Sequence, residues 1–424
     1  MFSFFIFSCL SVKPVILIPG HGGSGAWATI TRPELYPECP AFLSEKFHFW
    51  PMNATFAEAY PECMGYLIRA VFNETTQQIT HPEGIIFEQE PWGEMETLYN
   101  YVDLVKYFID RGYTKGKNLW GIAYDWVLYY PGTESLFDKL ADFIEKVHKD
   151  SKQKVVVMGH SMGTHVLRML LTQRRSEKWV EEHIDGAAFL APAFYGCFVS
   201  FNMVVQGKFG AIPVNEVAAK SARQMPSLHV LWDNYHVFDN HSVFQNVLNM
   251  SDGVKPDEVK DYLVSVGRFD EDAQKIFKYV EPSLQERPVE PNVRSLVLFN
   301  GGISTPIALD VSKNYAFINQ TGDAICHDGG PKYACANWKN VQCHDWKRDD
   351  WLYSHSQMMY RNDTLEIIYK WVGNEEEEGE VDTYNYTPLI IGCVVGGVVI
   401  IAATCLILFF ISRKDSQRNG FNKQ

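Results

Sequence analysis

Lys154-Val155-Val156-Val157-Met158-Gly159-His160-Ser161-Met162-Gly163-Thr164-His165-Val166-Leu167-Arg168-Met169-Leu170-Leu171 is the stretch that decides how this chain folds. A β-branched apolar run stops at a Gly-x-Ser-x-Gly pentapeptide and changes at once to a helical period. Strand, sharp turn and helix in that order make a nucleophile elbow, with Ser161 at its tip. Gly159 and Gly163 suit the turn physically. A serine backbone held there is strained, and a side chain at either glycine would collide with the neighbouring strand or helix.

Working outward, Pro14-Val15-Ile16-Leu17-Ile18-Pro19-Gly20-His21-Gly22-Gly23-Ser24-Gly25 reads as a buried strand running into a glycine-rich loop. Neither G-x-x-x-x-G-K-[ST] nor G-x-G-x-x-G follows that strand, which argues against a phosphate loop. A loop of this kind can instead bring one backbone N–H of an oxyanion hole beside a nucleophile; the donors would be the N–H groups of His21 and Met162. Between these two stretches, residues 94–111 carry helical spacing ended by Gly112, a strand is predicted near Leu119, and a second helix starts at Glu134. Strands follow at Ala187–Pro192 and Ser295–Gly302. Alternating strands and helices predict an α/β protein with a mainly parallel sheet covered on both faces, the α/β-hydrolase arrangement. Phe198 to about Glu290, broken by Gly207, Gly210, Pro213 and Pro226, reads as an irregular insertion suited to a lid.

The 424 residues are 46% hydrophobic and carry a net charge of −13. A large core is therefore available, and the absence of any Lys/Arg-rich block in the body argues against a nucleic-acid partner. Residues 1–12 read as a short signal peptide, or alternatively as a first core strand. Leu389 to Ile411 is an uncharged apolar run closed by Arg413-Lys414, which predicts a transmembrane helix with a positive-inside stop. The organisation expected is then a folded domain over 13–373 with the insertion at 198–290, an acidic stalk at 374–388, the span at 389–411 and a cytoplasmic tail at 412–424. Seven N-x-[ST] sequons, at Asn53, Asn73, Asn240, Asn249, Asn319, Asn362 and Asn385, all precede the span. Six cysteines remain outside signal and span: Cys39, Cys63, Cys197, Cys326, Cys335 and Cys343. An even set in an oxidising compartment reads as disulfides, and the orientation is that of a type I single-pass protein with a lumenal or extracellular domain.

A serine needs a histidine to take its proton and a carboxylate to orient that histidine, and in this fold both lie downstream, acid before base. His355, in Tyr353-Ser354-His355-Ser356-Gln357 just before a capped helical pattern at Asn362–Trp371, is the candidate base, and Asp323 of Gly322-Asp323 the candidate acid. His327, His344, Asp328 and Asp345 compete with them. The repeated Cys326-His327-Asp328 and Cys343-His344-Asp345, with Cys335 between, would also suit zinc, although no C-x-x-C pair is present. The hydrolytic reading calls for neither metal nor cofactor. Phe42, Phe47, Phe49, Trp50, Phe56 and Tyr60 crowd the segment from Cys39 to Cys63, which fits either a surface loop with core-facing rings or a lipid-facing loop.

These residues together resemble the family of lecithin:cholesterol acyltransferase, lysosomal phospholipase A and the phospholipid:diacylglycerol acyltransferases. Val15–Gly20 is similar to its oxyanion strand, Tyr124-Asp125-Trp126 to its Tyr-Asp-Trp-Arg motif, and His160-Ser161-Met162-Gly163 to its nucleophile. Ala191-Pro192, Gly322-Asp323, Cys335-Ala336-Asn337-Trp338 and Ser354-His355-Ser356-Gln357-Met358 resemble further family segments in the same order. The resemblance implies a Cys39–Cys63 disulfide closing a membrane-binding loop, Trp50 at the lid tryptophan, and lipid contacts from Trp50, Tyr124 and Trp126. It also implies transfer of a fatty acyl group from a glycerophospholipid, through an acyl-serine, to an alcohol or water, with a phospholipid membrane and a lipid acyl acceptor as partners; the residues leave open a non-catalytic hydrolase-like lipid-binding or adhesion protein and a neutral-lipid esterase. Departures are Val127 in place of arginine, and Asp323-Ala324-Ile325-Cys326 where the family has glycine and a hydroxyl after the aspartate. Cys335 could pair with Cys197, Cys326 or Cys343.

Overall fold

The computed structural model describes residues 12–373 except 52–53, 207, 210–211 and 214–215. The signal peptide, stalk, span and tail expected from the sequence, together with Asn53 and Asn385, lie outside the described residues apart from Val12. Among the described residues no helix is long and apolar enough to cross a membrane.

Six strands form the central sheet: β1 (Val15–Ile18), β2 (Leu119–Gly121), β3 (Val155–His160), β4 (Ile184–Leu190), β5 (Ser295–Phe299) and β6 (Val341–Asp345), in the order β6-β5-β4-β3-β1-β2. All neighbours run parallel, with Ile18 opposite Gly159 and His160 opposite Leu190. The strand tips that carry the elbow and the glycine-rich loop thus meet at one edge of the sheet. Side chains alternate between two cores. Ile16, Ile18, Val155 and Val157 face Phe137, Leu140 and Ile144 of helix α2 (Glu134–Ser151). Val15, Leu17, Val156 and Met158 face Leu104 and Phe108 of helix α1 (Val102–Ile109), with Leu365 and Ile368 of the last helix, Asn362–Val372. Burying both faces is what makes these strands continuous apolar runs, and each such side chain contributes about 1.5–3 kcal/mol by transfer from water.

Several expectations are corrected. The helix read at 94–111 is shorter, beginning at Val102, because Tyr101 turns inward and its hydroxyl donates to Ile18 O at 3.1 Å. Residues 96–97 before it are instead held by the Glu90 carboxylate, which accepts from the N–H groups of Glu96 and Thr97. The insertion at 198–290 is helical, with helices at Val199–Gln206, Glu216–Arg223, Pro226–His229, Val259–Ser265 and Glu271–Gln285. Pro226 opens a helix, where its missing N–H costs nothing, and a ring cluster of Phe201, Trp232, Phe269 and Phe277 packs the insertion internally. A long antiparallel hairpin, Ile303–Asp310 with Ala316–Gly322, leaves the tip of β5.

The six cysteines form Cys39–Cys63, Cys197–Cys326 and Cys335–Cys343. Most rings of the first loop face inward: Phe49 and Phe56 are buried, and Phe42, Phe47, Phe56 and Tyr60 stack on one another. Phe42 and nearby Leu35 stay exposed, at 48% and 42%.

Candidate active site

Ser161 follows β3 with φ 53° and ψ −126°, a backbone few side-chain-bearing residues adopt. Its N–H donates to Leu190 O at 3.0 Å, which ties the turn to β4. Helix α3 (Met162–Met169) starts at the next residue, so the Met162 N–H belongs to the first turn, where no intrahelical acceptor exists. The glycines are required by contact. A Cβ on Gly159 would sit 2.5 Å from Gly163 O, one on Gly163 2.3 Å from Ile18 O, and one on Gly20 2.6 Å from Ser161 Cβ.

That last approach places the loop after β1 against the serine. The loop is propped from three sides: Tyr124 Oη donates to Pro19 O at 3.1 Å, Tyr101 holds Ile18 O, and Trp50 Nε1 donates to Gly22 O at 2.7 Å. Trp50 is positioned by an antiparallel pairing of Phe47–Trp50 with Ala26–Ile30. Its ring lies 5.1 Å from that of Trp126, which in turn meets His21 edge-on at 5.0 Å. Tyr124 and Trp126 are buried beneath the loop, whereas Trp50 and His21 are half-buried at its surface. His21 Nε2 meets Met225 Sδ of the helical insertion at 3.1 Å, and burial lowers its pKa to about 4.

The acid and base candidates come together. His355 Nδ1 donates to Asp323 Oδ2 at 2.7 Å, and both side chains are about 95% buried. Asp323 Oδ1 accepts the N–H groups of Ile325 and Cys326 at 3.1 and 2.8 Å. His355 Nε2 is buried with no hydrogen-bond partner, so a bond to Ser161 Oγ is not formed. Such bonds often tighten once substrate is bound. The competitors are engaged elsewhere. His327 pairs with Asp233, Asp328 holds Thr321 and Lys332, and Asp345 accepts the N–H of Gly301. His344 lies on β6 against Trp346.

A zinc site built on the Cys-His-Asp repeat is excluded, since Cys326, Cys335 and Cys343 are each spent in a disulfide. Asp323, Cys326 and His355 do cluster within 4.8 Å, but the sulfur is oxidised and the other two bond each other. Three supporting groups escaped sequence reasoning. His160, inside the elbow motif, donates from Nε2 to His355 O at 3.1 Å and accepts at Nδ1 from Asn100. Thr305 Oγ1 accepts the Ala324 N–H at 2.8 Å. The third is the cystine next to Asp323. Histidine in the Gly-His-Ser triplet was a visible signal; the others depend on chain crossings that spacing does not reveal.

The sequence model of lecithin:cholesterol acyltransferase matches residues 68–233, which include Tyr124–Trp126 and the elbow. Phosphatidylcholine-sterol acyltransferase of Gallus gallus is 24% identical over 248 residues, 54% of this chain and 59% of that protein. Its Homo sapiens counterpart is 25% identical over 247 residues, 53% and 55%. The chain thus spans little more than half the length of these two. Lysosomal phospholipase A and acyltransferase of Bos taurus is 22% identical over 352 residues, 80% of this chain and 84% of that protein. A family match that contains the elbow, and relatives of one kind that carry the likeness to most of the chain, make this protein similar to the lecithin:cholesterol acyltransferase family.

Proposed function

We propose that this protein is a serine acyltransferase and phospholipase A that takes a fatty acyl group from a glycerophospholipid and hands it to an alcohol or to water. The observation that carries this is the buried Asp323–His355 pair at 2.7 Å, whose free Nε2 belongs to the histidine touched by the residue next to Ser161. Ser161 Oγ attacks the ester carbonyl as His355 Nε2 takes its proton. The oxyanion rests on the N–H groups of His21 and Met162; one donor of such a hole is commonly worth about 3 kcal/mol. Collapse breaks the ester bond, and the lysophospholipid leaves with the proton from His355. An acceptor hydroxyl, from a sterol, diacylglycerol, lysolipid or water, then gives its proton to His355 and attacks the acyl-serine; the acyl–serine bond breaks and His355 returns the proton to Ser161 Oγ.

Trp50, Tyr124 and Trp126 shape the wall beside the oxyanion loop that the acyl chain would line, and the helical insertion at 198–290 acts as the lid. Exposed Phe42 and Leu35 meet the lipid surface. The domain is lumenal or extracellular, held by the 389–411 span after removal of residues 1–12. Three disulfides and the exposure of all five sequon asparagines among the described residues support that side of the membrane. The test is to incubate the protein with phosphatidylcholine vesicles, with and without sterol or diacylglycerol, following free fatty acid against new ester. Fluorophosphonate labelling that is lost in Ser161→Ala is expected. A folded protein that neither labels nor releases fatty acid would sink the reading.

A further inference from the structure

We propose that the Cys197–Cys326 cystine is a positioning element for this reaction, holding the loop that carries Asp323 so that Oδ2 faces His355. The inference rests on the roles given above to Ser161, His355 and Asp323.

The loop Gly322–His327 closes on itself through a bridge between its two ends and through the Asp323 N–H donating to Cys326 O at 3.1 Å. Within it the carboxylate is divided. Oδ1 is held by the N–H groups of Ile325 and Cys326, and Oδ2 is left for His355 Nδ1. The direction of Oδ2 therefore depends on where the Cys326 backbone sits. Ala324, in the middle, has φ +76°, a conformation that strains a residue with a Cβ and that glycine adopts freely. Left to itself the loop relieves that strain by turning Ala324 back to negative φ, which moves the Cys326 N–H away from Oδ1.

The cystine opposes that movement. Cys326 is bonded to Cys197, 129 residues earlier in the chain, just beyond β4. Cys197 is itself fixed by its N–H donating to Leu231 O at 2.7 Å. The next loop residue, His327, is clamped to Asp233 at 3.1 Å, and Gly196 leaves room for that pair, since a Cβ there would lie 2.4 Å from Asp233 Oδ1. Both sulfurs belong to residues no more than 3% exposed, so the link is part of the wall of the site rather than a surface clip. A loop that has alanine at a position suited to glycine is thus held from outside by a covalent bond.

Three full-length proteins test this beside the wild type: Cys197→Ala/Cys326→Ala, the same pair with Ala324→Gly, and Cys335→Ala/Cys343→Ala as a cross-link outside the Gly322–His327 loop. The readouts are kcat and KM on a short-chain p-nitrophenyl ester, the rate of fluorophosphonate labelling, and Tm. Misplacement of a catalytic carboxylate predicts that kcat and labelling fall about 30-fold or more in the first protein, with KM within about threefold. Adding Ala324→Gly should recover about fivefold or more, since it removes the strain the cystine opposes. Cys335→Ala/Cys343→Ala should stay within about threefold of wild type. The proposal is overturned by an unlinked enzyme with near-wild-type kcat, by equal losses in both disulfide variants, or by no recovery with glycine. Misfolding of both unlinked proteins, with the Cys335→Ala/Cys343→Ala protein folded, also overturns it in favour of a purely structural cross-link. A wild type that does not label defeats the functional reading; a labelled wild type with unchanged unlinked variants defeats the positioning role alone.

Discussion

Gly163→Ala adds a single methyl group and is expected to cost turnover rather than binding. The new Cβ would lie 2.3 Å from Ile18 O and 2.6 Å from Pro19 O, where ordinary contact begins at 3.4 Å. Helix α3 and the loop after β1 must therefore part by about 1 Å. Neither oxygen is free to step aside, because Ile18 O accepts the Tyr101 hydroxyl and Pro19 O the Tyr124 hydroxyl, each at 3.1 Å. The strain falls instead on Met162, adjacent to the substitution, and on His21, two residues beyond Pro19, which are the two proposed oxyanion donors. A misplacement of about 1 Å can cost about 10²-fold, and loss of one such donor costs about 10²–10³-fold. We expect kcat to fall about 10²-fold with KM within about threefold. Overpacking costs about 1–3 kcal/mol, which for about 360 residues lowers Tm by only about 1–4 °C, so the variant is folded at assay temperature. Gly186→Ala is the comparison. Its Cβ would meet the Trp371 side chain at 2.9 Å and the Arg294 side chain at 3.0 Å, groups able to move, on the same sheet but away from Ser161. Ester turnover and fluorophosphonate labelling measured on both proteins decide the matter. Unchanged kcat in Gly163→Ala, or a rise in KM alone, would refute the reasoning.

Asp323→Asn should lower kcat by about 10³–10⁴-fold through loss of the imidazole's orienting partner, whereas Asp328→Asn should stay within about tenfold; the reverse order in a side-by-side ester assay overturns the assignment. Burial holds His160 and His229 neutral, at about 3 against an unfolded value of 6.5, and lowers His165 as well. Their depressed folded values mean that the unfolded chain binds more protons as pH drops below 6.5, so stability present above that pH is lost on acidification. Each contributes a slope of up to about 1.4 kcal/mol per pH unit, and Tm recorded from pH 7 to 4.5 should fall, less steeply in His229→Phe. A pH-independent Tm would contradict the burial of these rings. Leu35→Ser/Phe42→Ser removes two exposed apolar groups and should weaken vesicle binding by about tenfold or more, with short-chain ester turnover unaffected; equal binding in a sedimentation assay removes that loop from the lipid contact.

The central sheet was legible because its strands are buried on both faces. Val15–Ile18, Val155–Met158 and Ser295–Phe299 are apolar at every position except the terminal Ser295. Ser161 and its glycines were legible because a single local turn dictates them. Asp323 and His355 could be named as acid and base from their order in the chain, but His327, His344, Asp328 and Asp345 competed with them, because the hairpin that carries Gly322 back beside Ile303 is not visible in spacing. β6 was hidden by its own composition. Val341-Gln342-Cys343-His344-Asp345 is polar because it lies at the edge of the sheet, with β5 on one side alone, so the sequence offered it as candidate ligands and not as a strand. The insertion misled for another reason. Its helices before Glu271 are short, and the Gly and Pro residues between them look like breakers although Pro226 starts a helix.

The second position of the elbow motif then acquires a reason to be histidine. In Gly159-His160-Ser161 the pattern requires only glycine and serine, yet the His160 side chain reaches across the site and donates from Nε2 to the main-chain carbonyl of His355. That assignment fixes Nδ1 as the acceptor, which is the atom Asn100 approaches from the turn Tyr99–Tyr101 just before α1. The ring sits 5.1 Å from that of His355, in a place where a second imidazolium would repel the one the proposed mechanism forms there. Burial, with His355 adding to it, lowers His160 to about 3, so it stays neutral while its neighbour cycles. A lysine or arginine there would supply the same donor but would bring a permanent positive charge. An apolar residue would avoid the charge and leave the His355 carbonyl unheld. Neutral histidine satisfies both demands at once, which links the residue beside the nucleophile to the backbone of the base.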